Sequence, residues 1–197
     1  MKKSKKKKRN EGLGFVRVIV VVIVLAALMI GFYYYISHMD KKGAEDEVTI
    51  TKSQQVLMRN LDANYPATPK EVIKYYCEII QCFYNETHTE EEVEALATKI
   101  RGLYDADLIA NQDEESYLES VKVDILSMAG NGMTVSSYGL PSSTDVEYFS
   151  KDGREWAKMY CNLNLRQETK MFNTIEQFLL RKDENGRWKI YGWKLID

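Results

Sequence analysis

The chain has 197 residues, of which 45% are hydrophobic and 28% are charged, and its formal net charge is −2 at pH 7. Two histidines and three cysteines, without CxxC spacing, make a zinc site unexpected. The chain has no glycine-rich phosphate loop, GxSxG elbow or HExxH motif, which excludes nucleotide hydrolysis, serine hydrolysis and zinc proteolysis as expected activities. We expect neither a metal ion nor another cofactor.

The first predicted element is an uncharged run at residues 18–36, which follows a strongly basic stretch. Residues 1–17 hold eight Lys or Arg and one Glu. As a helix that rises about 1.5 Å per residue, the run would be about 28 Å long, close to the roughly 30 Å hydrocarbon core of a bilayer. We therefore predict a transmembrane helix at 18–36 in contact with the lipid bilayer, and a basic cytoplasmic tail at 1–17, because positive residues favour the inner side.

A cleavable signal peptide is the alternative, since it also has a basic start and an apolar middle. Its apolar region usually covers about 7 to 15 residues and precedes a cleavage site with small residues, and this run fits neither feature. Tyr33, Tyr34 and Tyr35 lie at the outer end of the run, where aromatic rings favour the headgroup layer. We therefore favour an uncleaved single-pass anchor in the cell membrane, with the C-terminal part outside the cytoplasm.

The charge is distributed unevenly along the chain. Beyond residue 17 there are 19 basic and 28 acidic residues, so this part carries a net charge near −9. Such an acidic surface is evidence against nucleic-acid binding. From about residue 50 the chain is long enough for one well-buried domain. We predict a tether with a short helix at 37–66 and an extracytoplasmic α+β domain at 67–197.

Helical signals come first in the predicted domain. Thr68-Pro69-Lys70-Glu71 is a capping box with proline at the first helical position, and apolar residues follow it at helical spacing. A second capping box begins at Thr89, and Asp113 can cap a third helix that ends near Gly130. A turn or irregular piece is expected at 104–112. Three helices therefore precede the first clear strand.

After residue 132 the hydrophobic period changes from 3.6 to 2, which indicates strands. The Asp152-Gly153 pair has the signature of a hairpin turn. In the last strand Trp188 and Ile190 share one parity while Trp193 and Leu195 share the other, which predicts a bulge near Gly192. The expected strands lie at 133–138, 146–149, 157–165, 171–182 and 187–196. The predicted fold is α+β, with about three helices packed on an antiparallel sheet of four to five strands.

The chain resembles the nuclear-transport-factor-like or SnoaL-like cone fold in two features. Its helices precede its strands, and it ends in a hairpin formed by residues 178–182 and 187–193 around a turn at 183–186. With the anchor and the stretch at 65–76, the chain is similar to an uncharacterised family of single-pass membrane proteins of Gram-positive bacteria. The resemblance implies a cone-like domain whose curved sheet and helices enclose a pocket. It implies no active site, because the shared motifs are caps and turns.

The candidate site residues are aromatic side chains and one carboxylate. A concave apolar ligand pocket could be lined by Tyr76, Trp156, Tyr160, Trp188 and Trp193, although aromatic residues on strands are also typical of a core. Asp124 is the one candidate for a catalytic residue, because it lies beside an apolar helical stripe. A solvated helix flank is the alternative for Asp124.

The three cysteines leave two interpretations open. Cys77 and Cys82 are five residues apart, so on one helix their Cα atoms exceed the roughly 7 Å limit for a disulfide. Either all three cysteines are buried free thiols, or Cys161 forms a disulfide with one of the other two.

These patterns predict a membrane-anchored binding or scaffolding module that contacts an extracytoplasmic protein or a small ligand. The alternative is a pocket enzyme of the isomerase or dehydratase type, in which a buried carboxylate such as Asp124 works with a tyrosine. A third hypothesis is a structural part of an envelope or sporulation assembly.

Overall fold

A computed structural model of the protein describes residues 50–196, in which five α-helices pack on an open antiparallel sheet of five strands. The predicted α+β class and strand number are confirmed. The elements are α1 (Lys52–Met58), α2 (Pro69–Asn85), α3 (Glu90–Arg101), α4 (Ala106–Ala110), α5 (Glu114–Gly130), β1 (Met133–Gly139), a 3-10 turn (Ser143–Asp145), β2 (Glu147–Lys151), β3 (Arg154–Gln167), β4 (Lys170–Lys182) and β5 (Trp188–Ile196).

The predicted basic tail at 1–17 and transmembrane helix at 18–36 lie outside the described residues. Among residues 50–196, none of the helices combines the length and the apolar character needed to cross a membrane.

The three predicted helix starts are confirmed. At Thr68 and Thr89 the threonine hydroxyl accepts a hydrogen bond from the backbone N–H three residues later, and the glutamate at that position accepts one from the threonine backbone N–H. Asp113 accepts from the backbone N–H of Ser116 at the start of α5. Each cap satisfies backbone donors that the helix leaves unpaired, which is worth about 1 kcal/mol.

The helix count differs from the prediction of about three. The additional α4 lies where a turn or irregular piece is expected, and Asp105 caps it by accepting from the backbone N–H of Asp107 at 2.9 Å. A helix of five residues is too short to show a hydrophobic period, so its sequence does not distinguish it from a turn. The other additional helix, α1, corresponds to the short helix predicted within the tether.

Residues 50–66, in the second half of the predicted tether, pack against the rest of the domain. Val56 is buried, and its carbonyl accepts a hydrogen bond from the Tyr75 hydroxyl at 2.8 Å. The Ser53 hydroxyl donates to Glu86 at 2.7 Å, and the Tyr65 hydroxyl donates to the Trp188 carbonyl at 2.8 Å. These residues belong to the packed domain, while residues 37–49 lie outside the described part.

The sheet has the order β1-β3-β4-β5, and β2 pairs with the first half of the long strand β3. The predicted hairpin turn is confirmed, since Asp152 and Gly153 have φ values of 52° and 73°. The predicted bulge is confirmed as well. Leu179 lies opposite Gly192 and Leu180 lies opposite Ile190, so one extra residue is inserted in β5.

Alternate residues of the central strands face the helices. Those that are fully buried on this face are Ala157, Met159, Cys161, Phe178, Leu180 and Ile190. The helix α2 covers them, as the 3.3 Å distance between the sulfur atoms of Cys77 and Cys161 demonstrates. The opposite face is more polar, and Tyr160 on it is exposed.

The chain segment between α3 and α4 pairs with β5. The Ile190 N–H donates to the Leu103 carbonyl and the Asp105 N–H donates to the Ile190 carbonyl, both at 2.8 Å. Tyr104 thus forms a parallel bridge with Ile190. This segment protects part of the β5 edge and fixes Tyr104 beside the sheet.

Candidate functional site

Strand β4 places a carboxylate on the helix-facing side of the sheet. Glu176 lies opposite Cys161 on β3 and opposite Leu195 on β5, and it shares the face of Phe178 two residues later. Its Oε2 atom is buried and has no hydrogen-bond partner within residues 50–196. Buried polar atoms in native proteins are nearly always paired, so this oxygen, one of four such side-chain atoms in the described residues, is a candidate for a contact with a bound group.

Burial raises the pKa of the Glu176 carboxyl above its ordinary value. Desolvation penalises the charged form, and within the described part of the chain no basic side chain forms a salt bridge with Glu176 to offset this penalty. The carboxyl group therefore gains its proton at a higher pH than an exposed glutamate does. A group of this kind can accept or donate a proton or a hydrogen bond.

A continuous set of aromatic rings lies on the same side of the sheet. Tyr76 packs against Phe178 and Trp193, with ring centroids 5.2 and 5.9 Å apart. Trp193 also contacts Tyr104 at 5.6 Å, and Tyr104 contacts Tyr117 at 6.2 Å. We call these five rings, together with Glu176, the aromatic–carboxyl cluster. Four elements and one loop supply it, namely α2, the segment before α4, α5, β4 and β5.

The phenols of the cluster are held in their neutral form. Burial raises the pKa of Tyr76 and Tyr104 well above the ordinary value, and for Tyr76 the neighbouring Tyr104 and Glu176 raise it further. Tyr84, two helical turns after Tyr76 on α2, has its pKa raised to about 12 by burial and then by Asp124 and Glu176. At neutral pH each of these hydroxyls is a hydrogen-bond donor.

The cluster is open to solvent along β5. Trp193 is 38% exposed and Leu195, opposite Glu176, is 64% exposed. Tyr76 and Phe178 form its buried floor, since they are 5% and 0% exposed. A small molecule or a side chain of a partner could reach the rings from this edge.

The structure brings together two of the five residues predicted to line a ligand pocket. Tyr76 and Trp193 are in contact within the cluster. Trp188 lies at the other end of β5 against Tyr148, with centroids 5.7 Å apart. Trp156 and Tyr160 lie on the opposite face of the sheet.

Asp124, the predicted catalytic candidate, is exposed on α5. The carboxyl group that the fold places beside the aromatic rings is that of the partly buried Glu176, which the sequence did not single out. A signal was present, because Glu176 has the parity of Phe178 and Leu180 on β4. Ile175 and Leu179 have the other parity, however, so the strand alone did not reveal which side faces the core.

A family model described as "Domain of unknown function (DUF6715)" matches residues 1–193 of the chain. The chain belongs to this family. No curated protein matches it significantly. The match covers both the predicted anchor and the domain described above. Because the description of DUF6715 names no activity, function has to be inferred from the geometry of the domain.

The DUF6715 domain also has a charged groove on the other side of β5. This cavity of about 460 Å³ is lined by Asp105, Asp107, Arg154, Arg181 and Lys189, among others. Arg181 is buried, and its guanidinium donates to both carboxylate oxygens of Asp105 and lies 2.8 Å from Asp107. These hydrogen bonds raise the pKa of Arg181, with that to Asp105 having the largest effect. Because its most buried charges pair with one another, we assign this groove a structural role.

The three thiols are all buried and free, in agreement with the first interpretation of the cysteines. The sulfur atoms of Cys77 and Cys161 lie 3.3 Å apart, while Cys82 occupies a separate position on α2. The hydrogen bond to Cys161 and burial together raise the pKa of the Cys77 thiol far above its ordinary value. Residues 50–196 contain no group of three or more His, Cys, Asp or Glu side chains arranged to hold a metal ion.

Proposed function

We propose that the protein is a membrane-anchored binding module that presents its aromatic–carboxyl cluster to a ligand outside the cytoplasm. The observation that carries this proposal is the Glu176 carboxylate oxygen, buried and unpaired in the described domain beside a solvent-accessible Trp193. An unsatisfied buried acceptor costs about 1–3 kcal/mol, which a donor on a ligand would recover. In this proposal the domain has the cone-like form that the resemblance implies, and the cluster lies in the pocket of the cone.

The proposed location follows from the N-terminal sequence. The uncharged run at 18–36 has the length of a bilayer core, and the basic residues before it favour a cytoplasmic N-terminus. Residues 37–49, if fully extended at about 3.5 Å per residue, would reach about 45 Å. The domain would then stay close to the membrane and meet ligands or partners at its outer surface.

A second candidate function is a pocket enzyme of the isomerase or dehydratase type. The raised pKa of Glu176 and the neutral phenols of Tyr76 and Tyr84 favour it, because proton transfer needs a tuned carboxyl group beside a hydrogen-bond donor. In this candidate function Glu176 replaces Asp124, the carboxylate that sequence analysis suggested. Conversion of a bound compound, lost in Glu176→Gln but not in Asp124→Asn, would support this second function over simple binding.

Native mass spectrometry of the full-length chain, purified in a nonionic detergent, tests the binding function. We expect a retained ligand or partner on the wild-type chain and on Glu147→Gln, whose carboxylate is exposed on β2. Glu176→Gln and Trp193→Leu should lose it. If none of the chains retains a ligand and no membrane partner co-purifies above background, the proposal is contradicted.

Protease treatment of intact cells tests the location. A tag placed after residue 197 should be removed by protease added outside, while a tag before residue 1 should be protected by the membrane. Protection of the C-terminal tag, or recovery of a trimmed and freely secreted chain, would overturn the proposed anchoring.

A further inference from the structure

The Glu176 carboxylate forms no salt bridge with a basic side chain of residues 50–196. The residues opposite it, Cys161 and Leu195, carry no positive charge. Lys194, the nearest basic residue along β5, lies opposite Gln177 and therefore points to the other face of the sheet. None of the salt bridges among residues 50–196 involves Glu176, and the cation nearest to the cluster rings, the Arg101 guanidinium, lies over Tyr117 at 5.4 Å.

The other two tryptophans of the domain already have a cation over the ring. The Arg181 guanidinium lies 5.5 Å from the Trp156 ring centroid, and the Lys182 ammonium lies 5.4 Å from that of Trp188. Within the described residues, no basic side chain occupies the corresponding place at Trp193. The exposed 38% of Trp193 leaves ring surface free for such a contact.

Each of these two cations is also paired with a carboxylate. Lys182 lies 2.6 Å from Glu155, and Arg181 is hydrogen-bonded to Asp105. The domain therefore contains two sets of tryptophan, cation and carboxylate. Trp193 and Glu176 are diagonal neighbours across β4 and β5, since Trp193 lies opposite Phe178 and Glu176 lies opposite Leu195. They form a third set in which the ring and the carboxylate are present and the cation is not.

The geometry points to an organic ammonium ion as the ligand of the aromatic–carboxyl cluster, with its positive group between Trp193 and Glu176. This inference rests on the proposed binding function and names its ligand class. A positive charge gains from the carboxylate and from the negative faces of the rings, and an alkyl substituent would contact the exposed Leu195. The net charge of about −9 beyond residue 17 would attract cations to the domain.

Choline and its uncharged isostere 3,3-dimethyl-1-butanol test this inference, because they differ in the charge and not in the shape of the binding group. The full-length chain in a nonionic detergent is titrated with each probe by isothermal calorimetry. We expect the wild-type chain to bind choline about ten-fold more tightly than the isostere, or better, because the positive charge of choline is attracted by the carboxylate and by the ring faces. Glu176→Gln should remove this preference, and Trp193→Leu should weaken the binding of both probes.

Glu155→Gln is the matched control, because it removes the carboxylate from the set whose cation, Lys182, belongs to the chain itself. Its preference for choline should equal that of the wild type. Circular dichroism and thermal unfolding establish that each variant is folded. If Glu176→Gln fails to fold, the comparison of the two probes on the wild-type chain and on Trp193→Leu still decides the outcome.

Three results would overturn the inference, namely no binding of choline, equal binding of both probes, or a preference that persists in Glu176→Gln. The proposed function fails separately. If the purified chain retains an uncharged ligand that Trp193→Leu loses, the binding module stands and only the ammonium class is refuted. If nothing is retained and neither probe binds, both proposals are refuted.

Discussion

At the scale of single residues, the partly buried carboxyl of Glu176 makes the stability of the folded domain depend on pH. Its pKa is raised in the folded state, so the folded chain holds this proton more tightly than the unfolded chain does. The contribution of the group to stability is therefore fully present below the unfolded pKa and is lost as the pH rises through the folded pKa. A glutamine, which is always neutral, does not show this loss.

We therefore predict that Glu176→Gln raises the free energy of unfolding at neutral pH by about 1 kcal/mol and leaves it nearly unchanged below the pKa of an ordinary glutamate. Urea unfolding of both chains across this pH range measures the difference. Glu147→Gln, at an exposed position, should follow the wild-type profile. Equal pH profiles for Glu176→Gln and the wild type would show that burial does not affect this carboxyl.

The three cysteines give a second prediction at the same scale. Cys77, Cys82 and Cys161 have no solvent exposure, and the raised pKa of Cys77 leaves little of the reactive thiolate. A maleimide reagent should label none of them in the folded chain and all three in denaturant without a reducing agent. Labelling of only one cysteine per chain in denaturant would instead reveal a disulfide between Cys77 and Cys161, the pair whose sulfur atoms are adjacent.

At the scale of elements, the start of α2 matters because this helix carries Tyr76 and Cys77 onto the sheet. Thr68→Ala removes the acceptor for the Glu71 backbone N–H and should lower the free energy of unfolding by about 1 kcal/mol. Thr87→Ala is the control, since Thr87 is exposed in the connection between α2 and α3. Urea unfolding compares the two. An equal effect of both substitutions would contradict a capping role for Thr68.

The elements that could be predicted from the sequence are those with local signals. Capping boxes and the Asp152-Gly153 turn act within a few residues, so they are visible without knowledge of the fold. The short helix α4 could not be predicted, because five residues are too few to show a hydrophobic period. The site depends on strand pairing instead. Glu176 lies near Trp193 only because of the register between β4 and β5, and the register of β3 places Trp156 on the opposite face of the sheet. Register between distant strands is set by the whole core.

At the scale of the whole molecule, the segment between α3 and α4 links the charged groove to the aromatic–carboxyl cluster. Tyr104 contacts Trp193 on one side, and the next residue, Asp105, binds the buried Arg181. The same segment pairs with β5 through Ile190. The ion pair therefore helps to hold one ring of the cluster in place.

Asp105→Ala should consequently destabilise the domain far more than Asp107→Ala, although both carboxylates contact Arg181. The Asp105 side chain is 4% exposed, and its removal leaves a buried guanidinium with one partner fewer, at a cost of about 3 kcal/mol. The Asp107 side chain is 56% exposed, so water replaces it at a cost of less than about 1 kcal/mol. Urea unfolding of the two variants measures both costs. Equal costs would mean that Arg181 is solvated in the folded chain and does not depend on Asp105 to fix Tyr104 against Trp193.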